Sequence, residues 1–281
     1  MKKLKIGVLA FLIAGIFFTA CSNEPTISKN GHSFNGGSGG SVTRVEVTGK
    51  FGIFESPYEV GDIIFNDGSA IPYTAQLTLS TEQQAAAIAI IFYKGNGLNS
   101  GDDTTTNRTL GVGLKHNRNG TAWCTINANA YSKIITTVLD DDKNGSDNLE
   151  QIATFLSNPS NNTDNDTGTS AFYPAFYFAE YYSNTATNLG TIYASGWYLP
   201  SIAELDKIYA CSEDTANGVD IDLASNLCGG DKFEDSWYWS SSQYASSDSL
   251  AYLLSFDIGA RHYASKNGWD NYYVCAIRAF N

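Results

Sequence analysis

The sequence is short of charge. Asp, Glu, Lys and Arg make up only 16% of its 281 residues, and the balance among them is acidic, at −12. A nucleic-acid surface needs clustered Lys and Arg against phosphate, so that function class is excluded; the acidity itself reads as solubility. Histidine is scarcer still. His32, His116 and His262 have no metal-ligand spacing and complete no Ser/His/Asp or His-Glu-x-x-His arrangement. No glycine-rich phosphate loop or dinucleotide fingerprint is present, and no apolar run reaches the roughly 20 residues of a membrane-spanning helix. There is no internal repeat. What the chain does have is 43% hydrophobic and 13% aromatic residues, enough for a sizeable core in one domain.

The first residues are a targeting segment. Lys2, Lys3 and Lys5 form a basic n-region and Ile6–Phe18 a short apolar h-region. Phe18-Thr19-Ala20-Cys21 resembles a lipobox, with Phe where Leu is usual, so residues 1–20 are expected to be cleaved and Cys21 lipidated. Several acyl chains on one cysteine anchor stably where a single chain is marginal. Residues 21–41, nearly devoid of apolar side chains and carrying Gly-Gly-Ser-Gly-Gly, read as a flexible tether. His32 lies on it, exposed and inert.

The domain is expected to span 42–281. Thr43–Lys50 alternates and reads as a strand, and Gly61–Gly68 as a second strand closed by Asp-Gly. Ser80 and Gln83 have capping-box spacing, and Ala85–Tyr93, apolar on nearly every face, is expected to be a buried helix. Leu110–Leu114 and Ala122–Ile126 read as short strands or connectors. Asp147–Leu156 reads as a helix capped by Asp147, and Pro174–Ser183 as a short aromatic helix.

Most of the information lies in Gly196–Phe280. Gly196-Trp-Tyr-Leu-Pro-Ser201 runs into a helix, with Ser201 and Glu204 at capping-box spacing and Ile202, Leu205, Ile208 and Tyr209 on one face. Trp237–Tyr244, Leu250–Phe256 and Tyr273–Phe280 read as strands. Together with the Leu110–Leu114 and Tyr173–Tyr182 segments, this order resembles the C-terminal domain of bacterial surface lipoproteins with a C-type lectin fold of the formylglycine-generating-enzyme type. It is most similar to spirochaete variable lipoproteins rewritten by diversity-generating retroelements. The resemblance runs from about Gly61 to the C-terminus. It implies an α+β, C-type lectin-like domain of mixed short strands and several helices, displayed at the outer membrane or cell surface and binding ligands without catalysis. The rival readings are a formylglycine-generating-type enzyme and a non-diversified structural lipoprotein of the envelope.

Other constellations are weaker. Asp140, Asp142, Asn144 and Gly145 begin like a calcium loop, but position twelve is Gln151 and the bidentate Glu is missing, so a solvated acidic turn is expected. Trp269-Asp270-Asn271 reverses the order of a sugar-binding lectin signature, and no metal or other cofactor is expected. Beyond Cys21, Cys124, Cys211, Cys228 and Cys275 are an even set in a disulfide-permitting compartment. Cys211 and Cys228 flank one loop and could pair, but spacing does not fix connectivity. Cys275 reads as a buried strand residue.

Asp257–Asn271 lies between two strands and mixes rigid aromatics and Arg with Ser, Gly and Asn, the chemistry of a paratope. By composition alone an ordinary polar loop is equally expected. The resemblance implies diversified, solvent-facing positions there. The expected binding face is Tyr244, Ser247, Asp248, Tyr252, Asp257, Arg261, His262, Tyr263, Lys266, Asn267, Trp269, Asp270 and Asn271, over a scaffold of Leu254, Phe256, Cys275 and Ile277. The expected partner is a protein or glycan at the cell surface, met by a monomer held to the membrane through its lipid anchor.

Overall fold

The computed structural model describes residues 44–101, 103–137, 142–161, 171–213, 219–233, 235–268 and 272–281. The leader, the tether, Cys21, Asp140 and Trp269–Asn271 fall outside these. Two sheets and a few helices make a mixed α+β fold. The larger sheet runs β2 (Ala70–Pro72), β1 (Asp62–Phe65), β3 (Ala87–Gly95), β4 (Arg108–Gly113), β10 (Ile277–Ala279), β5 (Trp197–Tyr198), antiparallel throughout. The smaller runs β8 (Arg261–Ser265), β7 (Leu250–Ser255), β6 (Trp237–Gln243), β9 (Tyr272–Tyr273), with β9 parallel to β6. The helices are α1 (Thr81–Ala86), α2 (Gly145–Ser157), α3 (Pro174–Glu180), α4 (Ile202–Glu213) and α5 (Ile221–Leu227). No helix among the described residues is long and apolar enough to cross a membrane.

The Ser80/Gln83 capping box forms as expected, with Gln83 N donating to Ser80 Oγ at 3.2 Å and Ser80 N to Gln83 Oε1 at 2.9 Å. The helix behind it stops at Ala86, however, and most of the expected helix Ala85–Tyr93 is strand β3. An all-apolar run has no period to separate helix from doubly covered strand. Three isoleucines tip it, because β-branched side chains fit a pleated surface. Ile88 and Ile91 pack into one core cluster and Ile90 and Phe92 into the other.

The expected strand Tyr273–Phe280 also divides. Its start is β9 in the small sheet; Val274, Cys275 and Ala276 cross over fully buried; Ile277–Ala279 is β10 in the large sheet. Of the expected strand Thr43–Lys50, the described residues 44–50 form only an isolated bridge, Glu46 to Phe54, and Ala122–Ile126 forms no strand. Gly111 and Gly113 of β4 have a packing reason. A Cβ at Gly113 would meet the Tyr182 ring at 2.5 Å, and one at Gly111 the Phe280 ring at 2.7 Å. Two aromatics therefore pack directly against the backbone of that strand.

Buried polar hubs join the layers. Glu204 accepts from Ser201 N (2.8 Å), Gly145 N (2.9 Å) and Tyr198 Oη (3.0 Å), with Arg108 Nη1 at 3.4 Å. One capping carboxylate thus pins α4, the start of α2, β5 and β4 together. Burial pushes its pKa up, opposed first by the Arg108 charge. The three serines of β6 are equally buried. Ser242 Oγ donates to Asp142 Oδ2 (2.9 Å) and accepts from Ile202 N (2.9 Å), and Ser240 Oγ donates to Tyr252 O (3.0 Å). Asp142 is therefore a structural acceptor at the N-terminus of α2, which Asn144 rather than Asp147 caps.

Candidate ligand-binding face

Every residue of β7 after Leu250 is buried, because core packs on both its faces. Its neighbour β8 is an edge strand and its first three side chains, Arg261, His262 and Tyr263, are all exposed. The expected loop Asp257–Asn271 therefore contains a strand. Register pairs Leu254 with Arg261, and Trp237 with both Ser255 and Tyr272. That brings the starts of β6, β8 and β9 and the end of β7 to one end of the small sheet.

Tyr263 stacks on Tyr244, with centroids 4.1 Å apart and planes 14° off parallel. His262 lies 5.4 Å from the Trp237 ring. Arg261 is tied down, its Nε 3.0 Å from Asp206 Oδ2 on α4. Asp257 is exposed in the turn after β7, Asp248 in the turn before it, and the hydroxyls of Ser247 and Ser249 lie 3.2 Å apart. Asn267 Oδ1 accepts from Ser265 Oγ at 2.6 Å and Tyr131 Oη at 3.3 Å.

Two expected face residues are interior. Tyr252 is 6% exposed and points into the core with Leu254 and Phe256, because alternation along β7 puts it on their side. Lys266 is 0% exposed. Its Nζ donates to the carbonyls of Ala130 (2.9 Å), Tyr131 (3.2 Å) and Lys133 (2.8 Å) and lies 4.8 Å from the Trp123 ring. A lysine this buried needs a full set of acceptors, which three loop carbonyls supply. Trp269, Asp270 and Asn271 lie outside the described residues.

Sequence reasoning missed a cleft, an open volume of about 890 Å3 at the same end of the sheet but on its β9 side. Arg118, Asp231, Lys232, Phe233, Asp235 and Tyr273 line it. Arg118 Nη2 donates to Lys232 O at 2.6 Å, and Asp231 Oδ2 accepts from His116 N at 2.8 Å. Phe233 stacks on Phe256 at 4.2 Å and meets the His116 ring at 4.4 Å with the planes tilted by 48°. His116 is buried beneath, its Nδ1 3.1 Å from Tyr238 Oη, and burial lowers its pKa to about 3, so the ring is neutral. The one signal in the sequence was Gly229-Gly230-Asp231-Lys232, a turn that brings Asp231 to Arg118 across the stretch of chain that holds α2 to α5.

The four described cysteines are all free thiols, so Cys211 and Cys228 are not bridged. Burial pushes the Cys124 and Cys228 thiols up to about 12 and Cys275 higher, which keeps all three protonated. No group of three His, Cys, Asp or Glu suited to a metal ion occurs among the described residues.

No protein-family model matches the chain, and no curated protein matches it. Among solved structures, the crystal structure of a fimbrial protein from Bacteroides ovatus ATCC 8483 is similar in fold, with a TM-score of 0.53 at 15% identity. The match covers 79% of this chain and 49% of that one, so the chain spans about half the length of the fimbrial protein. The likeness is one of mixed α+β architecture.

Proposed function

We propose that the chain is a surface lipoprotein, anchored through Cys21, whose domain is C-type lectin-like and binds a protein or glycan without catalysis. The observation that carries this reading is the contrast between β7 and β8: a doubly buried strand beside an edge strand with three consecutive exposed side chains. At the same end of the sheet, on the side of the other edge strand β9, lies a cleft with aromatic and charged walls, the size of a ligand site. Neutral, buried thiols and imidazole favour a binding role over chemistry. In this reading the exposed positions around β8 are those that a diversity-generating retroelement rewrites. A fimbrial protein of similar fold supports a place at the cell surface.

The test has two arms. Gene copies from different strains should differ at adenines confined to the 3′ end, in codons for exposed residues such as Asp257, His262 and Tyr263; substitutions spread evenly through core and surface would remove the diversified face. Fatty-acid labelling should be lost in Cys21→Ala, and equal labelling of both forms would remove the anchor. The fimbrial likeness also favours a second reading, a structural subunit of an envelope fibre. Polymers of this chain seen on intact cells by surface cross-linking would select it.

A further inference from the structure

Beside α2 lies a second groove, of about 540 Å3, that the ligand-binding reading does not use. One wall carries Ile134 and Ile135; the other is the outer face of α2, with Asp147, Glu150, Gln151 and Phe155. Ile134 is 47% exposed, an apolar side chain held out to water. Its segment is clamped in that position. Gln243 Oε1 accepts from Ile135 N (2.8 Å) and Thr136 N (2.9 Å), and its Nε2 donates to Lys133 O (2.9 Å). Lys266 holds the same stretch through the carbonyls of Ala130, Tyr131 and Lys133. Two fully buried side chains, Gln243 of β6 and Lys266 in the turn after β8, are thus spent on fixing this wall, which is how a preorganised site is supported.

The two carboxylates of the opposite wall, Asp147 and Glu150, have no ion-pair partner among the described residues. Glu150 is exposed, and among the described residues the Asp147 carboxylate accepts from the Asn144 amide alone, at 2.9 Å. On the same α2 wall, Gln151 Oε1 is shut off from water and has no donor, while Nε2 makes one long bond, 3.3 Å, to Thr137 Oγ1. A buried acceptor is ordinarily satisfied, and turning this amide would present its oxygen to a ligand N–H. The Phe155 ring already attracts a cation. The exposed Lys133 ammonium lies 5.8 Å from its centroid.

We propose that this groove docks a basic segment of a partner protein. The stem of an Arg or Lys lies along Ile134, Ile135 and Phe155, and its head sits between Asp147 and Glu150. Arg fits better, because its fork can donate to Glu150 and to Gln151 Oε1 together. Lys133 is then an internal competitor for the ring. The inference uses none of the residues of the β8 face, so either can fail alone.

The experiment is a titration of the full chain, labelled for NMR, with acetyl-Leu-Arg-Leu-amide and with its citrulline isostere. The Arg peptide should shift the Gln151 side-chain amide and Ile134 saturably, and citrulline should bind about tenfold more weakly. Glu150→Gln should weaken the Arg peptide about fivefold, while Lys133→Ala should tighten it about two- to threefold, with unchanged thermal midpoints. Equal binding of citrulline would overturn the proposal, as would an Arg peptide that Glu150→Gln leaves unaffected. Shifts scattered over the acidic surface that bypass Gln151, or none up to about 10 mM peptide, would also overturn it.

Discussion

Lys266→Met tests whether the most unexpected buried side chain, in the turn after β8, is structural. Methionine keeps the length of the stem and removes the ammonium. Three buried carbonyls, those of Ala130, Tyr131 and Lys133, then lose a donor. At about 1.5 kcal/mol each, with about 0.5 kcal/mol for the lost contact with Trp123, the gross loss is about 5 kcal/mol. Against this stands the cost of burying a charge. Burial lowers the Lys266 pKa from 10.5 to about 8, which corresponds to about 3 kcal/mol recovered when the charge is deleted. The variant should be about 2 kcal/mol less stable at pH 7, as read from urea midpoints.

The pH dependence is the sharper signature. Between about 8 and 10.5 the unfolded chain still holds a proton that the folded chain has released, so stability rises with pH in that window. From pH 8 to 9.5 the wild type should gain about 1.6 kcal/mol from this group, and Lys266→Met should gain nothing from it. The range stops short of 10 because tyrosines such as Tyr58 and Tyr173, whose pKa values burial raises, begin to oppose it there. A wild-type curve and a variant curve with the same slope would refute the reasoning, and an unchanged urea midpoint at pH 7 would show that the three carbonyls need no donor.

Ile277→Ala should cost about 2–5 kcal/mol in urea unfolding, since Ile277 is 0% exposed between β4 and β5. Tyr263→Ala, at 41% exposure, should change stability by about 0.5 kcal/mol or less in the same assay; the opposite ranking would mean that inside and outside are exchanged. His116→Phe should flatten the acid limb of the stability curve. The folded imidazole titrates near 3 rather than 6.5, so below pH 6.5 the unfolded chain takes up the proton first and stability falls. From pH 7 to 5 the wild type should lose about 1.9 kcal/mol that the variant keeps, and parallel curves would exclude the buried neutral ring.

Legibility followed chemistry that is local in sequence. Capping boxes at Ser80/Gln83 and Ser201/Glu204 were readable because both partners of each bond lie within one turn. Strands β6 and β7 were readable from aromatic and apolar density. β3 was not, because a run buried on both faces loses the period that tells strand from helix. The three serines of β6 look like surface residues until Asp142, Asn148 and Tyr252, far apart in sequence, are brought against them. Lys266 failed for the same reason. Nothing near it in sequence announces the carbonyls, some 135 residues upstream, that justify burying it.

The same contacts explain how an edge strand can be exposed and still hold its register. A one-residue slip of β8 against β7 would turn every side chain to the other face, and normally a buried face forbids that. In β8 the first three residues are exposed and supply little of this constraint. The register is set instead at the two ends. Ser255 N donates to Ala260 O at 3.0 Å before the strand, and Lys266 N to Ser249 O at 2.9 Å after it, where the buried Lys266 side chain also locks the turn. By the alternation of an antiparallel pair, the even-numbered residues His262 and Ala264 bond inward to β7, while Tyr263 turns its backbone N–H and C=O outward. Side chains at His262 and Tyr263 are therefore free of duty to the core. Substitution there changes the surface offered to a partner and leaves the ladder intact, which is what a face open to sequence variation requires of its scaffold.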